Sequence, residues 1–206
     1  YREQKRERYL SDEEFLRLGE ALATAERTNS ESAAAIAAIR LLVFTGCRLS
    51  EILTLTWDAI DLGRAVLRLP QSKTGAKQVF LGPPAIEVLQ SLSPVEGNPY
   101  VITGDRSGEN LKNLHHAWNR IRASAKLDKV RLHDLRHSFA SVGAAGGLSL
   151  PIIGKMLGHT QAATTQRYAH LADDPLRQAT DSVSNRIAAS MEGSKTPDNV
   201  VKLHDG

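Results

Sequence analysis

One stretch breaks the rhythm of this 206-residue chain. "AVLRLP" (65–70) and "KQVFLG" (77–82) alternate in polarity and flank the turn-forming "QSKTGA". Period-two alternation around such a turn predicts a β-hairpin. Helical signals surround it. Ser11 and Glu14 make a capping box, with Phe15, Leu18 and Leu22 following at helical spacing. An alanine-rich helix is predicted over 31–45, with Gly46 as its C-cap, and a short helix over 50–55. After the hairpin, "PPAIEVLQSL" restarts the helices with proline in the first turn. Further helices are expected at about 109–125, 133–145, 149–157 and 174–190, split by Gly146-Gly147 and by Gly158. These signals limit the chain to an α+β class, mostly α-helical, with a small antiparallel β-sheet or hairpin near residues 57–81.

Hydrophobic residues make up 41% of the chain and charged residues 24%, as in ordinary soluble domains. A chain of this length can bury a core without disulfides. The single cysteine, Cys47, excludes an internal disulfide and fits a reducing compartment. The longest apolar run, 33–44, is broken by Arg40 and falls short of the roughly 18 residues of a membrane span, so a cytoplasmic, non-membrane protein is expected. The chain opens on Tyr1, and the charged "YREQKRER" lacks an apolar period. Residues 1–10 therefore read as a linker, 11–190 as the folded domain and 191–206 as a polar tail.

The net charge of +3 is mild, but its distribution is not uniform. Between Lys112 and Arg136 stand seven bases against only Asp128 and Asp134. Such a block suits phosphates, although a solvated helix face has the same composition.

"RLHDLRHSFA" (131–140) closes that block. At about 100° per residue, His133, Arg136 and His137 share one side of a helix, opposite an apolar stripe of Leu132, Leu135, Phe139 and Val142. Histidines four apart can bind zinc, but a zinc helix carries glutamate after the first histidine. Here that position is Asp134, and the Arg136 guanidinium would repel a cation. A face of imidazole and guanidinium suits an anion instead, because arginine can hold two phosphate oxygens at once.

"TGCRLSEIL" puts Arg48 between a glycine C-cap and a short helix, where it can project into a cleft. Glu51, three residues on, can pair with it and fix its direction; a plain surface ion pair is the alternative. Lys73 lies at the hairpin tip, placed to bring a proton into a site from above, with Lys77 the nearby alternative. His159 follows a helix-ending glycine, and Tyr168 lies in "TTQRYAH".

Taken in order, "TGCRLSEI", "SKTG", "HDLRHSFAS", "LGH" and "TTQRYAH" resemble the catalytic domain of the tyrosine recombinases, the phage integrase family. Each motif alone is weak; five in sequence over 11–171 are specific. The resemblance implies that Tyr168 attacks a scissile phosphate of double-stranded DNA, leaving a 3′-phosphotyrosyl link and a free 5′-hydroxyl. It further implies Arg48 and Arg136 as charge neutralisers, His133 in moving the tyrosine proton, His159 as a hydrogen-bond donor to phosphate and Lys73 as the acid for the leaving 5′-oxygen. Glu51 and His137 are expected in support, Glu51 orienting Arg48 and His137 packing at the rim. No metal and no cofactor are expected, since the phosphotyrosyl bond stores the energy of the broken diester. Partner subunits, as a tetrameric synapse on DNA, are expected too, as is a DNA-clamping domain preceding residue 1. A type IB topoisomerase shares the chemistry and stands as the alternative.

Overall fold

The computed structural model describes residues 8–72, 75–171 and 173–191. Lys73, most of the expected linker and residues 192–206 of the expected tail lie outside the described residues.

Helix α1 (Asp12–Arg27) begins as the capping box predicts. The Glu14 amide donates to Ser11 Oγ and the Ser11 amide to the Glu14 carboxylate. Leu18, Ala21, Leu22 and Ala25 form its buried face. Helix α2 (Ala33–Thr45) is buried along most of its length and packs against α1, α4 (Pro83–Gln90) and α6 (Leu132–Ala145). Its alanines let those neighbours approach closely. It stops at Gly46, whose φ of +62° is the left-handed turn that glycine adopts without penalty. There the backbone also passes close to the Phe139 ring: a Cβ on Gly46 would lie 2.5 Å from a ring carbon.

Helix α3 (Leu49–Leu53) and a 3₁₀ turn at Trp57–Ala59 lead into a three-stranded antiparallel sheet. Its strands are β1 (Ile60–Asp61), β2 (Val66–Ser72) and β3 (Gly75–Phe80), in that order. The hairpin is as expected, and β1 is an addition too short to carry a period of its own. Leu67 faces Val79 and Leu69 faces Lys77, after which the register shifts before Ser72 pairs with Gly75. The shift brackets Pro70, which has no amide hydrogen to give the ladder.

Helix α5 (His115–Ser124) is shorter than the predicted 109–125, because the preceding residues are held in extended bridges such as Thr103 with Asn110. Then come α6, α7 (Leu150–Leu157), two 3₁₀ segments at Ala162–Thr164 and Gln166–Leu171, and α8 (Asp173–Met191). The 3₁₀ segments had no periodic signal.

Two hydrophobic clusters hold the domain. The large one unites α1 to α5 with the sheet and one side of α6. The small one is Ala140, Ala144, Ile153, Leu157 and Tyr168, on the far half of α6 and its neighbours. Because α6 runs between both, its simple stripe fails. Leu132 and Leu135 are buried, but so is Arg136, at 4% exposure, while Val142 is 55% exposed. Asp134 and Ser138 are fully buried on this helix, and Ser138 Oγ accepts the Leu10 amide at 2.9 Å. Residues 8–10 thus pack on the domain rather than leading away from it. No described helix is long and apolar enough to cross a membrane.

Candidate active site

Arg48 is the N-cap of α3, in extended backbone geometry that turns its side chain out of the helix. Its amide donates to Glu51 Oε2 at 2.8 Å and its Nη1 to Oε1 at 2.9 Å. The Glu51 side chain is only 4% exposed, so this is no surface ion pair. Burial alone would raise the Glu51 carboxyl, but hydrogen bonds from Lys77 and the Arg48 amide hold it below the usual range.

Arg136 is fixed from two other sides. Nη1 donates to the Gly46 carbonyl and Nη2 to the Leu157 carbonyl, both at 2.6 Å. These carbonyls end α2 and α7, where helix carbonyls lack internal partners. One guanidinium therefore ties two helix ends and sets its own orientation.

Three imidazoles surround the arginines. The His133 and His137 rings meet edge to face with centroids 4.8 Å apart. His159 follows Gly158, the left-handed cap of α7, and its Nδ1 lies 2.9 Å from Thr165 Oγ1. Nδ1 of His137 lies 2.7 Å from the hydroxyl of Tyr168. His137 is thus in direct contact with the expected nucleophile, closer than the rim position read from the helical wheel, because the 3₁₀ segment carrying Tyr168 packs on α6. Burial first, then neighbouring positive charge, pushes His137 and His159 down to about 4; His133 is lowered for the same reasons.

Tyr168 is 4% exposed. With Arg48, His133, Arg136, His137 and His159 it lines one cavity of about 180 Å³. Five of the six expected catalytic residues are therefore brought together, with His137 added; the sixth, Lys73, lies outside the described residues. Lys77, on β3, borders the site through Glu51: its Nζ donates to Glu51 Oε2 at 2.7 Å.

Two further residues belong to the cavity, Thr164 and Arg167. Arg167 precedes Tyr168, and its buried Nε has no hydrogen-bond partner among the described residues. Adjacency to the tyrosine was its only sequence signal. A second cavity of about 360 Å³ shares His133 and Arg136 and runs along α5 past His115, Asn119 and Arg122. The basic block thus borders the site, although the Arg122 guanidinium also bonds the Val130 carbonyl and Arg131 pairs with Asp134. A roomier hollow of about 540 Å³ lies between the Trp57 turn and the hairpin. It contains no tyrosine and no histidine, so size does not mark the chemistry.

The arrangement can neutralise an anion with guanidinium groups beside a phenol that touches a neutral imidazole. Among the described residues there is no group of three or more His, Cys, Asp and Glu that could hold a metal ion.

A family model described as the phage integrase family matches residues 8–174. This chain belongs to the phage integrase family. Among its relatives, the tyrosine recombinase XerD of Yersinia pestis is 31% identical over 156 residues, covering 69% of this chain and 51% of that protein. The chain spans about half the length of the curated relatives it matches. The crystal structure of XerA recombinase superposes with a TM-score of 0.67 at 28% identity, over 88% of this chain and 65% of the other. A post-cleavage complex of the site-specific recombinase XerH with a palindromic difH substrate gives 0.67 at 26% identity, over 84% and 52%. The fold is that of the tyrosine recombinase catalytic domain, as the ordered motifs of this phage integrase family member implied.

Proposed function

We propose that this chain is the strand-cutting domain of a site-specific recombinase acting on double-stranded DNA. One observation carries the reading: Tyr168 shares a cavity with three arginines, Arg48 and Arg136 among them, and three histidines.

Tyrosine has an ordinary pKa near 10 and is a weak nucleophile at neutral pH. His137, neutral above about 4, is placed to accept the phenolic proton through Nδ1. As Tyr168 Oη bonds to phosphorus, the bond to the 5′-oxygen breaks and that oxygen takes a proton. Lys73 is proposed as its donor. Arg48 and Arg136 offset the charge of the five-coordinate phosphorus, and preorganised donors of this kind are commonly worth 10²–10³-fold each. His159 donates to a non-bridging oxygen and His133 keeps its part in moving the tyrosine proton, next to His137. Attack by another strand's 5′-hydroxyl reverses the step. The diester energy is conserved in the phosphotyrosyl bond, so the scheme calls on no nucleotide and no metal.

The site-specific recombinases among the relatives favour strand exchange over topoisomerase-like relaxation. Exchange needs partner subunits, and α8 suits an intermolecular contact: Val183, Ile187 and Met191 are all exposed, at 59, 55 and 82%. Residues before 8 fit a linker to a DNA-clamping domain.

The test is covalent capture. Duplexes of random sequence, nicked so that the cut end diffuses away, are mixed with the chain, and DNA that stays attached after denaturation is sequenced. Adducts on Tyr168 with a common flanking sequence support the reading. No adduct overturns it, and supercoiled plasmid relaxed by the chain without exchange would favour the topoisomerase.

A further inference from the structure

Glu51 is a buried carboxylate facing three donors, of which Arg48 supplies two. The third is the Lys77 ammonium, with a side chain only 10% exposed and Nζ 2.7 Å from Oε2. The lysine stem reaches this point by lying across Gly158: a Cβ there would come within 2.9 Å of Lys77 Cδ. Gly158 has a φ of +68° and is followed by His159. Lys77 therefore joins β3 to two parts of the cavity wall: the start of α3 with Arg48 and the end of α7 with His159. It is also held in the ladder opposite Leu69, four residues from the hairpin's Lys73.

Charge explains why a lysine belongs there. A Glu51 carboxylate paired with Arg48 alone would cancel that arginine's charge. With Lys77 on the other oxygen, one negative charge meets two positive ones, and a net positive charge remains for a guest anion. A lysine bound to a buried carboxylate is at the same time ill placed to give its proton to a leaving oxygen.

We propose that Lys77 is a positioning residue: through Glu51 it holds Arg48 pointed at the scissile phosphate and leaves its charge available. This rests on the recombinase reading and adds to it a residue that does not touch DNA.

The experiment uses three versions of one captured duplex. The first has an ordinary scissile phosphate. The second is a methylphosphonate, which lacks one charged oxygen and leaves Arg48 less to neutralise. The third carries sulfur at the bridging 5′ position and departs as a thiolate without a proton. Lys77→Met keeps the stem over Gly158 and removes only the ammonium. Its cleavage rate on ordinary DNA is expected to fall about 100-fold, as for a misplaced catalytic group, with the DNA dissociation constant changing less than about threefold. Lys77→Arg, which keeps a donor, should restore most of the rate. The loss should largely disappear on the methylphosphonate, as it should for Arg48→Ala, and persist on the sulfur substrate.

Relief on the sulfur substrate would make Lys77 the proton donor and overturn the proposal. Equal loss on all three, or a melting temperature lowered in step with the rate, would reduce it to a structural residue and overturn it too. So would a Lys77→Met chain that cleaves like wild type. A wild-type chain that forms no adduct takes down the recombinase reading and this proposal together, whereas wild-type adducts with any of the other outcomes leave that reading standing.

Discussion

The imidazole of His137 stands 2.7 Å from the hydroxyl of Tyr168, although the two are 31 residues apart and on different elements. Under the proposed mechanism, the contact makes His137 the group best placed to take the Tyr168 proton. Tyr168→Phe should bind DNA like wild type and form no adduct, since only the hydroxyl is lost. His137→Asn should still form adducts, about 10²–10⁴-fold more slowly. Gel assays of adduct against time separate the two, and an unchanged rate in His137→Asn would return the proton to His133.

Stability should depend on pH in a set direction. An unfolded histidine titrates near 6.5, whereas His137 and His159 are pushed down to about 4 in the fold by burial and nearby cations. Between those values the unfolded chain binds more protons than the folded one, so stability rises with pH. The contribution is complete above about 6.5 and is lost as pH falls towards 4. Urea midpoints should drop between pH 7 and 4.5, and His137→Asn or His159→Asn should flatten the curve. A midpoint constant over that range would contradict the burial of both rings.

Replacing Gly46 should be costly for one added methyl. Alanine would have to adopt a φ of +62° and would press on the Phe139 ring. The left-handed backbone and the overpacking together should cost about 2–4 kcal/mol, measurable by denaturant unfolding. Because the Gly46 carbonyl holds Arg136, cleavage should fall as well.

Cleavage should survive excess EDTA, since in the proposed mechanism the arginines take the part a metal ion plays elsewhere. Loss in chelator, restored by zinc, would revive a metal site at His133 and His137.

Removing everything after Leu171 should abolish cooperative assembly on DNA, as native gels or sedimentation would report. Val183, Ile187 and Met191 recur every four residues along one exposed side of α8. That helix also touches α6 and the Tyr168 segment of its own chain. Full cooperativity in the shortened protein would mean that those internal contacts are its whole purpose.

What the sequence disclosed, and what it withheld, follows from the range of the forces involved. Caps and turns are local, so Ser11, Gly46, Gly158 and the hairpin around "QSKTGA" could be read directly. Arg48 and Glu51 are three apart, and their pairing was legible for the same reason. The face of α6 was not, because its burial depends on helices from both clusters: Arg136 is buried by the ends of α2 and α7, which no periodicity on α6 announces. The Lys77 link to Glu51 spans 26 residues and the His137 contact 31. Only the folded chain joins them. Tyr168 was found from its motif rather than its period, since a 3₁₀ segment leaves no amphipathic stripe.

The division of the core into two clusters has a consequence for how such an enzyme can be governed. Tyr168, the proposed nucleophile, belongs to the minor cluster, five side chains drawn from α6, α7 and the Tyr168 segment, whereas Arg48 starts a helix of the main body and Arg136 ties the end of α2 to the end of α7. Loosening a small patch requires far less free energy than unfolding the domain. Tyr168 would then shift while Arg48, paired with Glu51 on α3, stays fixed in the main body. On the proposed mechanism, any neighbour that leans on the last quarter of the chain would acquire a say in when Tyr168 is presented, without touching Arg48.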